Sequence, residues 1–411
     1  MAGGRSLHSP KASRELNIAF HPMGQTGWVG GGIYLQTLLQ ALKQSNGHGL
    51  KISMVGENGF LSNDSQLREL VDEVISYPSV KRWTSTWAKE SASLRLRRRG
   101  VVRDQTLKQH NVDVIAFGEA PEGSKIPALA WIPDFQHRHY PEFFSVDECR
   151  NRDVSFSRLA ERAARVMLIS ESVKKDFVAF YPRFADKARV LQPICAIPSS
   201  VFDDDPALLC AQYSLPSKFF YLPNQFWKHK NHITVFRALK ILKDRGVPVF
   251  VVCSGHLDDY RHPTFFSELL QEISRLNVRE EVALLGVVSR EHVFQFMRQS
   301  VGVLNPSLFE GYGMAVEEAR SFGKQILVSD ISPHREQDPP RATFFDKLDC
   351  ENLAEQMERV WRETVPGPEY QLEAASRSEM PARTRNYAES FIAIANEAVI
   401  EKLDPTCVAQ V

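Results

Sequence analysis

No stretch of the chain approaches the roughly 20 consecutive apolar residues that a helix needs to cross a bilayer, and the N-terminus carries no apolar signal-peptide core. The six cysteines (Cys149, Cys195, Cys210, Cys253, Cys350, Cys407) include no close pair and no metal-type spacing, so they read as reduced thiols of a cytosolic protein. There is no excess of either charge: 50 Lys and Arg balance 50 Asp and Glu, which gives no global basicity for nucleic acid. Internal repeats and extended low-complexity tracts are missing too. The dinucleotide fingerprint G-x-G-x-x-G does not occur after the first strand, which argues against a nicotinamide cofactor. What is present is length: 411 residues suffice for two domains with substantial cores.

The most informative stretch runs from Val301 to Gly323. A short apolar run, Val301 to Leu304, reads as a buried strand, and a helix is predicted from about Met314 until Gly323 ends it. Gly311 and Gly313 flank Tyr312 just ahead of that helix, so backbone can approach a ligand there without Cβ interference. The first N–H groups of a helix lack internal partners and attract anions, phosphate above all. Glu310 and Glu318 bracket this cradle. Two like charges about 4 Å apart repel by roughly 4 kcal/mol at an effective dielectric of 20. The two carboxylates are therefore expected to face away from a phosphate, toward neutral donors such as sugar hydroxyls. A ligand with a phosphate centre and a polyol at each end is a nucleotide sugar. Taken singly, each glutamate reads equally well as a helix-terminus or solvated carboxylate.

Strands alternate with helical patterns along the whole chain. Leu16 to Phe20, Lys51 to Val55, Val112 to Phe117, Ala128 to Ile132 and Val166 to Ile169 are expected strands of a first domain. Phe219 to Leu222, Val249 to Cys253, Val282 to Leu285 and Ile326 to Val328 join Val301 to Leu304 in a second. Such alternation implies an α/β fold with mainly parallel sheets covered on both faces, whose ligands bind at the carboxyl ends of the strands. After the first strand a glycine-rich loop ends in Gly30-Gly31-Gly32, and Ile33, Leu35, Leu38, Leu39 and Leu42 then mark a helix. This reads either as a second phosphate cradle through Gly31 and Gly32 or as an ordinary strand–helix turn. A basic segment, residues 81–103, carries Trp83 and Trp87 one helical turn apart. It reads either as a face for an anionic membrane or as a solvated helix face. Residues 1–13 are expected to be an unstructured polar tail.

The run Pro306-Ser307-Leu308-Phe309-Glu310-Gly311-Tyr312-Gly313, continued by Glu318-Ala319, Gly323 and Ser329-Asp330, resembles the signature of the group 1 (family four) glycosyltransferases. That resemblance spans about residues 15–400. It implies a GT-B fold: two Rossmann-like, doubly wound domains, an interdomain cleft, and a final helix returning to the first domain. The expected division is 14–200 for the acceptor-side domain, 201–382 for the nucleotide-sugar domain and 383–403 for the returning helix, after a Pro/Glu-rich break near 365–381. The resemblance further implies a retaining transfer of a sugar from a nucleotide-sugar donor to a hydroxyl of a glycan, lipid-linked or small-molecule acceptor. Epimerases, phosphorylases and a catalytically weak nucleotide-sugar-binding subunit share the fold as alternatives. Peripheral contact with the inner face of a membrane through residues 81–103 accompanies the lipid-linked case.

Site roles follow from the same resemblance. Glu310 is expected at the donor sugar, Glu318 at the ribose hydroxyls, and Gly311, Tyr312, Gly313 and Met314 at the diphosphate. Lys230-Asn231-His232 matches the family's Lys-Asn-His, so Lys230 is expected on the leaving diphosphate. The usual arginine position falls near Gln225, which leaves Lys228 or another cation to supply its charge. Val287 is expected near the base, and Gly31 and Gly32 against the phosphates. Many relatives carry His-Asp where this chain has Pro133-Asp134, with His137 three residues on; His137 reads as a catalytic group or as a surface histidine. Asp203-Asp204-Asp205 matches the Asp-x-Asp by which the other major glycosyltransferase fold holds a divalent ion. Its proline-rich setting reads as a linker, and no metal or other cofactor is expected.

Overall fold

In the computed structural model, which describes residues 15–23, 29–45, 49–61, 65–78, 89, 91–92 and 101–403, thirteen strands form two sheets. The expected tail and most of the basic segment, including Trp83, Trp87 and residues 95–99, lie outside the described residues. The first sheet comprises β1 (Leu16–Phe20), β2 (Leu50–Glu57), β3 (Glu73–Tyr77), β4 (Val114–Ala116), β5 (Ala128–Ile132), β6 (Arg165–Leu168) and β7 (Ala188–Val190), in the order β3-β2-β1-β4-β5-β6-β7. The second comprises β8 (Phe220–Leu222), β9 (Val251–Cys253), β10 (Val282–Leu284), β11 (Gly302–Asn305), β12 (Ile326–Ser329) and β13 (Ala342–Phe345), in the order β10-β9-β8-β11-β12-β13.

The ladders are parallel, with Ile18 opposite both Ile52 and Val114 in one sheet and Val303 opposite both Tyr221 and Ile326 in the other. A parallel sheet must bury both faces under its crossover helices, and so its central strands are near-continuous apolar runs. Ten of the strands stand where such runs predict them. β3, β7 and β13 went unpredicted, and all three are edge strands with mixed exposure and no apolar run to announce them. In both orders the chain reverses its direction of travel once, between β1 and β4 and between β8 and β11. These are topological switch points, where the loops leaving the strands diverge and open a crevice.

Contacts divide the chain into two compact units. One holds the chain up to Trp131, Arg158–Met167 and the chain from Arg385 on; the other holds Ile132–Ser157 and Leu168–Thr384. In the first unit the helix Val29–Gln44 buries Leu35, Leu38, Leu39 and Leu42, as its spacing predicts. The C-terminal residues of this unit stack Phe391 on Phe20 with ring centroids 5.4 Å apart and pair Glu397 with Arg165 at 3.1 Å. In the second unit, one buried cluster includes Phe220, Phe236, Leu239 and Val251; another includes Tyr221, Phe296, Val303 and Phe322 on the opposite face of the sheet.

The last helix corrects the expected break near 365–381: it runs unbroken from Tyr370 to Leu403 with Pro381 inside it. An interior proline costs about 3 kcal/mol through a lost hydrogen bond and a steric clash. Tertiary contacts of the segment offset that cost. Glu373 binds the buried Arg298 at 2.9 Å, Ser376 donates to the Arg320 carbonyl at 3.2 Å, and Arg383 binds Glu317.

Candidate active site

The loop that leaves β11 is fixed before it reaches any ligand. Asn305 accepts from Asn224 Nδ2 at 3.1 Å and from Ser307 Oγ at 2.8 Å, and the Ser307 carbonyl accepts from Ser329 Oγ at 2.6 Å. The two glycines are needed for different reasons. Gly313 has φ +106 in the left-handed region and forms the N-cap of the helix Met314–Ser321, with no side chain capping it. At Gly311 a Cβ would meet the Pro133 carbonyl oxygen at 2.4 Å, so the limit is space. Gln337 Nε2 donates to the carbonyls of Tyr312 (2.5 Å) and Gly313 (3.3 Å), which orients these peptides and leaves the uncapped helix start facing the loop.

From the other side of the switch point comes the loop after β8. Its short turn Lys228–Lys230 ends at Asn231, which is left-handed at φ 57. Asn231 Nδ2 donates to the carbonyls of Pro306 (3.0 Å) and Lys347 (2.8 Å), and the Leu308 N–H donates to the His229 carbonyl at 2.8 Å. These bonds tie the two loops together and set Lys230 Nζ 2.6 Å from Glu310 Oε1, which also accepts from Ser307 Oγ at 2.6 Å. Burial acts to raise the Glu310 carboxyl, but the charges of Lys230 and His334 and the hydrogen bonds from Lys230 and Ser307 outweigh it and hold it below the usual range. Glu310 is therefore an ionised acceptor, and Lys230 is its counter-ion.

Glu318 lies one turn inside the helix, its side chain 6% exposed, and Arg290 binds it at 2.5 Å. The same guanidinium reaches Cys195 Sγ at 3.5 Å. Burial would lower the affinity of Arg290 for its proton, yet Glu318 and Cys195 raise it above the usual value. Sequence reasoning missed Arg290. A signal existed, because Arg290 is the first residue of the helix Arg290–Gln299, where a cation opposes the helix dipole and so calls for another reason to be there. Glu317, the neighbouring carboxylate, is buried and turned elsewhere, binding Arg383 and the Cys195 N–H; burial raises its carboxyl despite those partners.

Other sequence-predicted residues fall in varied settings. Tyr312 is buried and Met314 half-buried at the helix start. Val287 is 72% exposed beside Gly286, itself left-handed at φ 68. The Lys228 ammonium lies 5.7 Å from the Phe143 ring centroid, and the Lys228 backbone N–H donates to Asp259, which also pairs with Arg261; none of these contacts places it with Lys230 and Glu310. His137 is fully buried. Its Nε2 meets Asp153 at 3.0 Å and its ring packs near Phe135, Phe144 and Phe156, so it is not a surface histidine. Burial, more than its carboxylate partner can offset, lowers its affinity for a proton. Gly31 and Gly32 stand in the first turn of the helix Val29–Gln44 in the other unit. Asp205 caps the helix Pro206–Gln212 by accepting the Ala207 N–H at 2.9 Å, and the Asp204 carbonyl accepts from Arg298. Among the described residues no group of three or more His, Cys, Asp or Glu could hold a metal ion, and no helix is long and apolar enough to cross a membrane.

Comparison with known proteins bears on this loop pair directly. Residues 214–383 match the family model described as glycosyl transferases group 1. The O-antigen chain mannosyltransferase RfbU of Salmonella typhimurium is 23% identical over 217 residues, 53% of this chain and 54% of that protein. A putative glycosyltransferase of Bacillus subtilis, EpsF, is 28% identical over 106 residues, 26% of each chain. The matched parts thus span about half or less of those relatives. Among solved structures, Anabaena Alr3699/HepE in complex with UDP and glucose superposes with a TM-score of 0.61 at 16% identity, covering 95% of this chain and 100% of that one. A glycosyltransferase from Rickettsia africae gives 0.60 at 16% identity, covering 95% and 97%. The two parallel sheets, their order and these superpositions are those of the GT-B fold, and the region 214–383, which contains Lys230, Glu310 and Glu318, is the part that matches the family model of the group 1 glycosyl transferases.

Proposed function

We propose that the protein transfers a sugar from a nucleotide-sugar donor to a hydroxyl acceptor with retention of anomeric configuration. The observation that carries this reading is the Lys230–Glu310 pair at the switch point between β8 and β11, next to the uncapped helix start at Met314. A donor would place its diphosphate against the helix start and Lys230, its sugar hydroxyls against Glu310, and its ribose against Glu318. Breaking the glycosidic bond leaves negative charge on the diphosphate. Preorganised cations and helix N–H groups aimed at that charge supply the main catalytic stabilisation. The departing phosphate can take the acceptor's proton, so no protein base is required. With Lys230, Arg290 and the helix start supplying positive potential, transfer is proposed to need no metal. The names of RfbU and of a similar structure, WaaG, described as involved in lipopolysaccharide biosynthesis, favour a growing polysaccharide as acceptor.

A thermal-shift screen of UDP-, GDP-, ADP- and TDP-sugars identifies the donor, because a ligand at 100 times its dissociation constant adds about 2.7 kcal/mol of stability. Turnover with and without acceptor, read by NMR for the anomeric configuration of the product, then tests transfer. Inversion, or activity lost to EDTA and restored by magnesium or manganese, would overturn the mechanism. Stabilisation by a nucleotide sugar without turnover would leave a binding subunit.

A further inference from the structure

The first unit has its own switch point, between β1 and β4, and beside it stands an arginine that forms no ion pair among the described residues. His21 follows β1 directly and extends the ladder by donating its N–H to the Ala116 carbonyl at 2.9 Å. Gly118 follows β4, and a Cβ there would meet the His21 ring at 2.1 Å, so the imidazole fills the space a side chain would take. Between them Phe117 is held at φ 60, an unusual conformation for a bulky residue. Against His21 Nε2 rests the guanidinium of Arg103, with its Cζ 5.7 Å from the Tyr77 ring centroid at the end of β3.

Arg103 finds little else. Its Nε is buried with no hydrogen-bond partner, and none of the ion pairs among the described residues includes it. The nearby carboxylate, Glu119, is taken by Arg158 at 2.8 Å and Arg162 at 3.4 Å. His21 brings no charge to the contact: burial first, and then Arg103 itself, push its imidazole down to about 3, so it is a neutral acceptor at physiological pH. A largely buried cation that leans on a neutral ring and keeps an unpaired N–H is, among the described residues, left in deficit of negative charge.

We propose that Arg103 and His21 form an oxyanion-binding site for the acceptor, so that the acceptor carries a phosphate or carboxylate group. The site lies outside the carboxyl ends of β1, β3 and β4, at the crevice where ligands of such sheets bind. The guanidinium presents a planar fork of donors, of which His21 engages one, and both phosphate and carboxylate fit such a fork. A neutral sugar would not supply the missing charge. This assignment rests on the transferase reading for the word acceptor, but the oxyanion site itself does not.

The test uses the full chain labelled with 15N-arginine. The Nε–Hε signal of Arg103, assigned as the one lost in Arg103→Lys, is followed while inorganic phosphate and, separately, acetate are added. A saturable shift with either anion is expected, and the tighter of the two names the group. Arg103→Gln should weaken that anion roughly ten- to hundredfold, the range for a charged hydrogen bond, with Arg103→Lys keeping part of the affinity. Nucleotide-sugar stabilisation of the protein should be unchanged in both variants. A signal that moves with neither anion overturns the site. If the signal responds but no nucleotide sugar stabilises the protein, the oxyanion site stands and the transferase reading fails.

Discussion

At the switch point of the second sheet, Lys230 and Glu310 neutralise one another at 2.6 Å; at that of the first, Arg103 rests on an imidazole that carries no charge. The same topological crevice is thus prepared in two ways. At the paired site each charge is balanced within the protein, and under the proposed function a donor would share or displace the pair as its diphosphate and sugar arrive. On the proposed reading its charges suit a ligand that is itself both anionic and hydroxylated. The unpaired site is in deficit until a negative group enters, and so it discriminates by charge. Glu318 with Arg290 repeats the first arrangement one helix turn away.

The largest effect that could break this comparison belongs to Lys230→Ala. It should strand Glu310, whose side chain is only 10% exposed, without its counter-ion. Losing one partner of a buried pair costs about 3–5 kcal/mol of stability, measurable by urea unfolding. Where the variant still folds, kcat should fall by about 10²–10³, the loss seen on removing one charge-stabilising donor, and not merely KM rise. Lys230→Met combined with Glu310→Gln should recover stability without recovering turnover. An unchanged kcat in Lys230→Ala would make Lys230 a binding residue only.

The acid dependence sharpens the same contrast. In the native protein the Glu310 carboxyl lies below its ordinary value of 4.5, because its partners outweigh burial. Its contribution to stability is therefore present above about pH 4.5 and is lost as pH falls through the lower, folded-state value. With Lys230 removed, burial dominates and the sign reverses: the carboxyl rises, and stability is lost as pH increases above 4.5. Unfolding free energies of the two proteins from pH 3 to 7 should show opposite slopes from this group.

Glu318→Ala should weaken nucleotide-sugar binding by about 1.5–3 kcal/mol, the range for a hydrogen bond to a charged group. Calorimetry that finds no change in affinity would leave Glu318 with Arg290 alone as its purpose.

The smallest effects separate the two crevices by their glycines. A Cβ at Gly311 would strike a backbone carbonyl, whereas at Gly118 it would strike the His21 ring, which can rotate. Gly311→Ala should cost about 1–3 kcal/mol, as overpacking does, while Gly118→Ala should cost about 1 kcal/mol, the scale of an off-rotamer side chain. Equal losses would mean that the imidazole is held as rigidly as backbone.

Much of this molecule is legible in order along the chain. Central parallel strands are buried on both faces, so Ile18 to Phe20 and Val301 to Leu304 read as apolar runs without help from elsewhere. The glycine-flanked turn at Tyr312 and the helix after it are equally local, because left-handed backbone and an open helix start are properties of a few adjacent residues. Even Gly323, left-handed at φ 61, ends that helix as its position suggests. Three of the four edge strands, β3, β7 and β13, and the passage of the last helix through Pro381 were not legible, since each is decided by contacts that outweigh local preference. Pairings across long separations are likewise tertiary: Lys230 with Glu310, Glu318 with Arg290, and Arg103 with His21 join segments that only the strand order brings together. Residue types in a loop announce that an anion or a sugar could be held there. Which cation is already neutralised, and which still lacks a partner, depends on sheet order, because a charge is balanced only by what lies within a few ångströms of it.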